Sequence, residues 1–373
     1  MFPLFALGAV VLLGAHLLSV ALYLRRLGPR APLPGVIGRP KVSLLRPVCG
    51  LDPFDAETLE SSFLQDYPEY EVIFCAQDAD DPAVALLQEL IARHPGVQAR
   101  LLVGNDPISG NPKLNNLWKG WKAAESDWIC MTDANLLMPP DYLSTLVDCW
   151  GPGIGLVSSP PLGTRPEGWG GHLECAVLNA NQARLQFAAD SLGDGYAQGK
   201  TLFFNRALVD RAGGYAALGE FLAEDATATR MIRSQGLRVA LAPLPYAQPI
   251  GRRSLRQVWD RHLRWSRVRR DAFPGLFAAE ILNGAALPTL LALLAAGPGV
   301  AAGYLALWYL AEILLIRRAG WPGGWRDLAV LPLRDAMLPA LWVATFLRRG
   351  FEWRGTTMTR RETGADESLT AAE

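Results

Sequence analysis

The sequence has little charge and no patterned cysteines. Charged residues make up only 19% of the 373, and Lys plus Arg equals Asp plus Glu, so the formal net charge is zero. The five cysteines form no Cys-x-x-Cys pair and show no regular spacing, which argues against a disulfide framework and against a zinc site. We expect them to be reduced thiols in core positions. Half of the chain is hydrophobic, which is apolar for a soluble enzyme.

The first apolar run carries no formally charged side chain. It extends from Phe2 to Leu24, and Arg25, Arg26 and Arg30 follow it. At about 1.5 Å per residue, a helix of this length crosses a hydrocarbon core of about 30 Å. A cleaved signal peptide would instead carry its positive charge before a shorter apolar run. The positive-inside rule predicts that the N-terminus lies outside and that the chain from Arg25 onward lies in the cytoplasm.

Apolar runs return near the C-terminus. Ile281–Gly297 and Val300–Ile316 flank a Gly-Pro-Gly sequence, which predicts two adjacent antiparallel spans. Residues 328–347 are also apolar, but Arg334 and Asp335 interrupt them. Because a charged pair at mid-membrane is costly, we expect a re-entrant or interfacial pair of short helices there. The basic residues that follow predict a cytoplasmic C-terminus, and the small polar residues at the very end predict disorder.

The middle of the chain alternates between short apolar runs and helix-length patterns. This alternation predicts an α/β fold with an open, mostly parallel sheet. The predicted strands are Val42–Leu45, Glu71–Cys75, Ala99–Val103 and Trp128–Met131. The predicted helices are Asp55–Phe63, Ala83–His94 and Leu114–Ala124. Ligands bind such sheets at the carboxyl ends of the strands, so polar residues that directly follow a strand are candidates for a site.

Polar motifs follow three of these strands. Arg46–Gly50 follows the first strand and Gln77–Pro82 the second, while Thr132–Asn135 follows the fourth. Acidic clusters at adjacent strand ends would repel each other without a divalent cation or ligand hydroxyls and amides between them. A sugar nucleotide supplies such groups, and Mg²⁺ or Mn²⁺ binds through one or two carboxylates plus phosphate oxygens. The alternative is that these are ordinary turn residues.

Two further motifs lie beyond residue 220. Glu224 and Asp225 open a predicted helix that runs to about Gln235. The helix dipole alone favours carboxylates there, but a positioned Asp can also take the proton of an attacking hydroxyl. Arg261 and Arg264 share a helix face and could clamp phosphate oxygens.

The segment from 252 to 270 has an alternative interpretation as a basic interfacial helix on an anionic membrane surface. Both interpretations can hold for different faces of one helix. Nucleic acid is not an expected partner, because the adjoining spans would fix this segment at the membrane.

These motifs in this order resemble the ceramide glucosyltransferases and their bacterial relatives, the family-21 glycosyltransferases, a branch close to family 2. The resemblance covers most of the chain. Val42–Pro47 is similar to the family's first strand and uracil-side loop, and Asp66–Val72 to its second-strand entry. Gln77–Pro82 matches the first acidic motif, with Asp78 at the nucleotide contact.

The remaining motifs resemble the family's donor-side and catalytic residues. Asn111–Asn116 is similar to a family signature near the donor, and Arg261–Trp265 matches its (Gln or Arg)-x-x-Arg-Trp motif. Asp133 falls at the metal-binding acidic position and Asp225 at the catalytic base. The expected substrate-binding residues are Pro47, Asp78, Lys113, Asn115, Asn116, Glu224, Arg261, Arg264 and Trp265.

The resemblance implies a GT-A fold, α/β with a mostly parallel sheet and helices on both faces, flanked by transmembrane helices. It implies a UDP-hexose donor, a divalent cation (Mg²⁺ or Mn²⁺) and inverting transfer to a lipid hydroxyl, with Asp225 as base. We expect a multi-pass protein of a bacterial inner membrane with its catalytic domain cytoplasmic. The expected parts are an N-terminal transmembrane helix (1–25), the catalytic domain (36–250), a basic interfacial helix region (251–275), C-terminal membrane segments (276–350) and a cytoplasmic tail (351–373).

Two departures from the family pattern keep alternatives open. Many glycosyltransferases have Asp-x-Asp where this chain has Asp133-Ala134-Asn135, and animal ceramide glucosyltransferases carry a His where Leu178–Arg184 has none. The acceptor is therefore either ceramide or a hopanoid, bacteriohopanetetrol, which would receive N-acetylglucosamine from UDP-GlcNAc. A processive polysaccharide synthase is disfavoured because only three or four hydrophobic segments occur. A catalytically inactive sugar-nucleotide-binding scaffold is the remaining alternative, with slight support from Asn135.

Overall fold

The computed structural model describes residues 2–29, 33–220 and 223–347, together with the backbone of 351–353 and 356–358. The strands are β1 (Val42–Pro47), β2 (Tyr70–Ala76), β3 (Gln98–Val103), β4 (Trp128–Thr132), β5 (Ile154–Ser158), β6 (Pro161–Glu167), β7 (Thr201–Asn205), β8 (Arg238–Leu241), β9 (Tyr246–Arg252), β10 (Phe351–Trp353) and β11 (Thr356–Met358). Arg30, the basic residues 348, 349 and 354, and the predicted tail from 359 to 373 lie outside the described residues.

The helices run in the same chain order. They are α1 (Phe2–Arg26), α2 (Asp55–Glu60), α3 (Pro82–Arg93), α4 (Pro112–Ala123), α5 (Tyr142–Asp148), α6 (Gly168–Ala176), α7 (Arg184–Ser191), α8 (Arg206–Arg211), α9 (Glu224–Ser234), α10 (Leu255–Ala272), α11 (Pro274–Ala279), α12 (Ala286–Ala319), α13 (Trp325–Ala329) and α14 (Leu331–Leu347). A π-helix, Val177–Ala183, joins α6 to α7, and short 3-10 turns occupy Ser61–Phe63, Tyr215–Gly219 and Glu280–Leu282.

A seven-stranded sheet forms the centre of the domain between α1 and α10, in the order β3-β2-β1-β4-β7-β5-β8. Neighbouring strands are parallel except where β7 pairs with β4 and with β5. The predicted α/β class with a mostly parallel sheet is therefore confirmed, and so are all four predicted strands. The strands after residue 150 were not predicted, including the separate parallel pair of β6 and β9.

Buried apolar runs and helix caps explain the first half of the sheet. Leu44, Ile73 and Met131 of the central strands are fully buried, as expected for strands that are covered on both faces. The side chain of Asp81 caps α3 and that of Asn111 caps α4, and a proline follows each cap. These caps start both helices one or two residues earlier than predicted.

Four of the five cysteines are buried, as expected for core thiols. Cys49 is exposed in the loop after β1, so the prediction of a core position is wrong for this residue. The motif Arg46–Gly50 leaves the sheet immediately after the strand, and this exit carries Cys49 to the surface.

Three helices of the described chain are long and apolar enough to cross a membrane: α1, α12 and the segment Trp325–Leu347. Helix α12 is not straight, because Gly297 inside it has φ 81° and ψ 179°. A Cβ on Gly8 would lie 3.3 Å from Leu291, and the Tyr304 hydroxyl donates to the Ala9 carbonyl at 2.9 Å. On a straight helix Leu291 and Tyr304 would lie roughly 20 Å apart, so the chain reverses at Gly297.

The predicted Gly-Pro-Gly turn between two antiparallel arms is thus present. The first arm is helical only from Ala286, because the chain before it forms a short 3-10 turn and then bends at Gly284, where φ is 79°. At about 1.5 Å per residue this arm is roughly 17 Å long, about half of a hydrocarbon core. It is shorter than the span that was predicted to begin at Ile281.

The charged pair in the last apolar segment lies inside the helix bundle. Arg334 bonds Glu312 of α12 at 2.8 and 3.1 Å and Asp335 at 2.8 Å, and Tyr309 donates to Asp335 at 3.0 Å. All three charged side chains are at most 3% exposed. The segment does form two helices, α13 and α14, but the second has 17 residues and is longer than expected. Glu312 of α12 offsets the charge of Arg334, and the sequence alone does not identify this partner.

The sheet domain is attached to the helix bundle by polar contacts. Arg26 at the end of α1 pairs with Asp190 of α7 at 2.6 Å and donates to the Ala242 carbonyl at 3.3 Å. Arg184 at the start of α7 donates to Ser19 of α1. The sheet domain therefore lies at the end of α1 that carries the arginines.

Candidate active site

The candidate site lies where β4 ends and β7 begins. These strands are antiparallel neighbours with Thr132 opposite Thr201, which places Asp133 beside Lys200. The Lys200 ammonium contacts Asp133 Oδ2 at 2.8 Å and donates to Asn135 Oδ1 at 2.9 Å. Lys200 was not among the predicted site residues, and the pairing of β4 with the unpredicted strand β7 is what brings it here.

Lys113, near the start of α4, joins this pair to the second acidic motif. Its ammonium contacts Asp133 Oδ1 at 2.7 Å and Glu224 Oε1 at 2.7 Å, and it donates to the Gly199 carbonyl at 2.6 Å. The cap residue Asn111 donates to the other Glu224 oxygen at 2.9 Å. The structure therefore brings together three predicted residues from distant parts of the chain, namely Lys113, Asp133 and Glu224.

Asp225 lies next to this cluster at the first turn of α9. Its carboxylate accepts the backbone N–H groups of Gly199, at 2.9 Å, and of Ala226, at 2.7 Å. A Cβ on Gly199 would lie 2.7 Å from a Glu224 oxygen, so a larger residue here would require that carboxylate to shift. Burial, followed by the negative charge of Glu224, raises the pKa of Asp225 to about 6. A half-buried carboxyl with such a pKa can gain and lose a proton near neutral pH.

The charged groups of the cluster shift one another's pKa values. Burial opposes ionisation of Asp133, but Lys113 and Lys200 outweigh it and hold the pKa of Asp133 well below its usual range. Burial would also lower the pKa of Lys113, but Asp133 and Glu224 outweigh it and raise that pKa. Burial lowers the pKa of Lys200 despite Asp133, and the positive charge of Arg261 adds to this effect. Arg261 is therefore close enough to act electrostatically on the cluster.

Helix α10 carries the Arg-x-x-Arg-Trp motif. Its N-terminus is fixed by a capping box between Ser254 and Gln257. Arg261 bonds the buried Glu174 of α6 at 2.9 Å and lies over the Trp265 ring, 6.0 Å from its centre. Trp265 packs on a small cluster of buried residues from α6, the π-helix and β9. Arg264 is partly exposed on the same helix.

The other predicted residues do not join the cluster. Asp78 is exposed in the loop after β2, where it accepts the Asp80 backbone N–H, and Pro47 ends β1. The side chain of Asn115 bonds backbone groups of Ile108 and Ser109, and that of Asn116 bonds the Val48 and Cys75 carbonyls. Both asparagines therefore use their amides to hold the loops around the site.

The strands that carry Asp78 and Asp133 are not adjacent, which corrects the argument from repulsion. Strand β1, the first strand in the chain, lies inside the sheet between β2 and β4. At about 4.8 Å per strand the two strand ends lie roughly 10 Å apart. The charge of Asp133 is offset by the two lysines.

A divalent cation at Asp133 fits the donor type but not the present contacts. Asp133 and Asn135 offer oxygen atoms, which Mg²⁺ and Mn²⁺ prefer. Both carboxylate oxygens of Asp133 and the amide oxygen of Asn135 bond ammonium groups, which would have to be displaced. Within the described residues, no three His, Cys, Asp or Glu side chains are grouped to hold a metal ion. Among the described residues, no such group supplies a second carboxylate beside Asp133 in place of the one that Asn135 lacks.

Arg46, which the resemblance placed in the first strand, supports the Asp133 loop. It is fully buried and donates to the carbonyls of Asp133, Ala134 and Leu136 at 2.9, 2.7 and 3.1 Å, as well as to Thr58. No motif marked this role, because most of its partners are backbone carbonyls.

We expect Arg46→Met to lower the free energy of unfolding by about 2–4 kcal/mol, because several buried carbonyls lose a charged donor. Thermal unfolding followed by tryptophan fluorescence measures the loss. Arg93→Met is the matched control, since Arg93 is half exposed and should shift stability little. Equal shifts in the two variants would contradict the role assigned to Arg46.

The sequence is similar to known glycosyltransferases. Residues 4–366 match the family described as Glycosyl transferase family 21. Ceramide glucosyltransferase 1 of Caenorhabditis elegans is 27% identical over 246 residues, which are 65% of this chain and 53% of that relative. Ceramide glucosyltransferase of Komagataella phaffii is 40% identical over 111 residues, 29% of this chain and 22% of that relative. The chain thus aligns with about half the length, or less, of these relatives.

Among solved structures, the fold resembles a mannosyltransferase of Pyrobaculum calidifontis in complex with GDP-Man and Mn²⁺. The TM-score is 0.52 at 20% identity, with 92% of this chain and 98% of that chain covered. This likeness, with the mostly parallel sheet, confirms the predicted GT-A class of fold. Because the family match spans nearly the whole sequence, the chain belongs to glycosyl transferase family 21.

Proposed function

We propose that this protein is a membrane-bound glycosyltransferase that moves a hexose from a UDP-sugar to a lipid hydroxyl with inversion. The observation that carries the proposal is Asp225, a carboxyl with a pKa raised to about 6 beside an anion-binding pair of lysines. Family membership and the likeness to ceramide glucosyltransferases support the reaction class.

The residues divide the work of a single displacement. Asp225 takes the proton of the lipid hydroxyl as that oxygen attacks the anomeric carbon. Lys113, Lys200 and Arg261 offer positive charge to the departing UDP. The backbone N–H of Gly199 holds one Asp225 oxygen in place, so the carboxylate is oriented before the acceptor arrives.

A divalent cation remains part of the proposal. Asp133 and Asn135 would hold Mg²⁺ or Mn²⁺, and the ion would offset negative charge on the diphosphate as a Lewis acid. Because Lys200 occupies the same oxygen of Asp133, the ion and the ammonium compete.

We therefore expect Lys200→Met to lower the Mn²⁺ concentration for half-saturation about thirtyfold, since a single positive charge about 4 Å from a divalent ion costs roughly 2 kcal/mol in water. Electron paramagnetic resonance of free Mn²⁺, titrated in the presence of UDP, measures it. Lys122→Met, at an exposed lysine, serves as control. An unchanged or weaker Mn²⁺ affinity in Lys200→Met would contradict the competition.

The membrane helices support a lipid acceptor. Arg25 and Arg26 end α1, and Arg317 and Arg318 end α12, so the same face of the bundle carries the positive charge. We propose that this face and the catalytic domain are cytoplasmic, in a bacterial inner membrane, where UDP-sugars are available.

The π-helix favours a second candidate acceptor, a polyhydroxylated hopanoid such as bacteriohopanetetrol with UDP-GlcNAc as donor. This segment has amides where animal ceramide glucosyltransferases carry a His. Asn181 Oδ1 and Gln182 Oε1 are buried, with no hydrogen-bond partner within the described structure. Amide oxygens of this kind suit the several hydroxyls of a polyol.

Purified protein in lipid nanodiscs tests these proposals. UDP-glucose, UDP-galactose and UDP-GlcNAc are each supplied with ceramide or with bacteriohopanetetrol, and products are identified by mass spectrometry. A lipid with one added sugar is expected. A multi-sugar product would favour a processive synthase, and UDP binding without turnover on any lipid would favour an inactive scaffold.

A further inference from the structure

One buried carboxylate takes no part in the proposed chemistry. Glu174 of α6 is 1% exposed, and its two oxygens contact Arg261 at 2.9 Å and His262 at 3.1 Å. Burial opposes its ionisation, but His262 and Arg261 outweigh it and lower the pKa of Glu174 to about 2. A buried charge is retained only with such partners, so Glu174 is an ionised anchor for α10.

The anchor constrains the guanidinium of Arg261 on one side only. Glu174 holds one terminal nitrogen, and the ring of Trp265 lies beneath the group. The Arg261 side chain is still 21% exposed, so the guanidinium is not fully enclosed by these contacts. A planar guanidinium held at one edge presents its other N–H donors in a fixed direction.

His262 reinforces the same arrangement. Its ring is 3% exposed, bonds the second oxygen of Glu174 and meets Trp265 edge to face, with the ring centres 5.2 Å apart. Two residues of the motif helix, Arg261 and His262, therefore bond one carboxylate of a different helix, and Trp265 packs against both of them.

We propose that Glu174 is a positioning residue that aims Arg261 at the diphosphate of the nucleotide donor. This inference rests on the proposed function, because it takes Arg261 to contact that diphosphate. Glu174 acts through Arg261 and does not touch the donor. Loss of its charge should weaken recognition of the diphosphate and leave recognition of the nucleoside unchanged.

Binding to the full-length protein in detergent tests the proposal, with UDP and uridine measured separately by calorimetry or competition. Glu174→Gln is expected to weaken UDP binding about tenfold and to leave uridine binding unchanged, with a raised KM for the donor. Glu167→Gln, at an exposed glutamate just before the same helix, is the control and should match the parent protein in both.

A double variant separates positioning from general packing. Arg261→Gln should weaken UDP binding as much as Glu174→Gln or more, and the double variant should be no weaker than Arg261→Gln alone. If Glu174→Gln does not fold, Glu174→Asp keeps the charge one methylene short and should show a smaller loss for UDP only. Equal losses for UDP and uridine, additive losses in the double variant, or unchanged UDP binding would each overturn the proposal. A parent protein that fails to bind UDP would instead refute the proposed function.

Discussion

Asp225→Asn is expected to lower kcat by about 10²–10⁴-fold, because the amide cannot accept the proton of the attacking hydroxyl. The variant should still bind UDP, since the lysines and Arg261 that face the diphosphate are unchanged. Turnover of the UDP-sugar under saturating lipid measures the loss. Asp210→Asn, at an exposed position on α8, is the matched control and should keep full activity.

The raised pKa of Asp225 gives this prediction a pH dependence. Activity of the parent protein should fall as the pH drops through about 6, because the protonated carboxyl is no longer a base. A profile that is flat between pH 5 and 7.5, roughly the range this carboxyl titrates over, would contradict its role as the base.

Stability should change in the opposite sense. The pKa of Asp225 is about 6 in the folded chain and about 3.9 when unfolded, so the folded chain holds the proton more tightly. As the pH rises through this window, ionisation of the buried group costs stability in the parent protein but not in Asp225→Asn. The unfolding temperature of Asp225→Asn, relative to that of the parent protein, should therefore rise as the pH increases from about 4 to about 7.

Arg334→Met is expected to lower the free energy of unfolding by about 3–5 kcal/mol, the largest loss of stability that we anticipate. The substitution leaves Glu312 and Asp335 buried in the bundle without the cation that both contact. Thermal unfolding in detergent, followed by tryptophan fluorescence, measures the shift. Glu312→Gln added to Arg334→Met should recover part of it, because one unpaired charge is removed.

Arg318→Met provides the control for this pair of charges. Arg318 is exposed at the end of α12, so its loss should change the unfolding temperature little. A shift in Arg334→Met no larger than that of Arg318→Met would show that the buried charges do not hold the bundle together.

The first half of the fold was predictable because its signals are local. Short runs such as Val72–Cys75 are followed by acidic or glycine-containing turns and by capped helices, and each of these patterns is visible within about ten residues. The π-helix and strands β5 to β9 gave no such signal, since their pairing partners lie far away in sequence.

The site divides in the same way. Lys113, Asp133, Glu224 and Asp225 were predicted from motifs and do meet in the structure. Lys200 and Glu174 were missed because their importance depends on tertiary contacts, with Asp133 across two strands and with Arg261 across two helices. Likewise, the ion pair between Glu312 and Arg334 depends on how α12 packs against α14, which the sequence does not reveal.

The anomeric configuration of the product tests the central claim most directly. If Asp225 acts as a base in a single displacement, a UDP-sugar with an α-linked donor bond should give a β-linked glycolipid. Nuclear magnetic resonance of the lipid product made by the purified protein reports the configuration through the coupling of the anomeric proton. A β-linked single sugar is the predicted result, and an α-linked product would contradict the account.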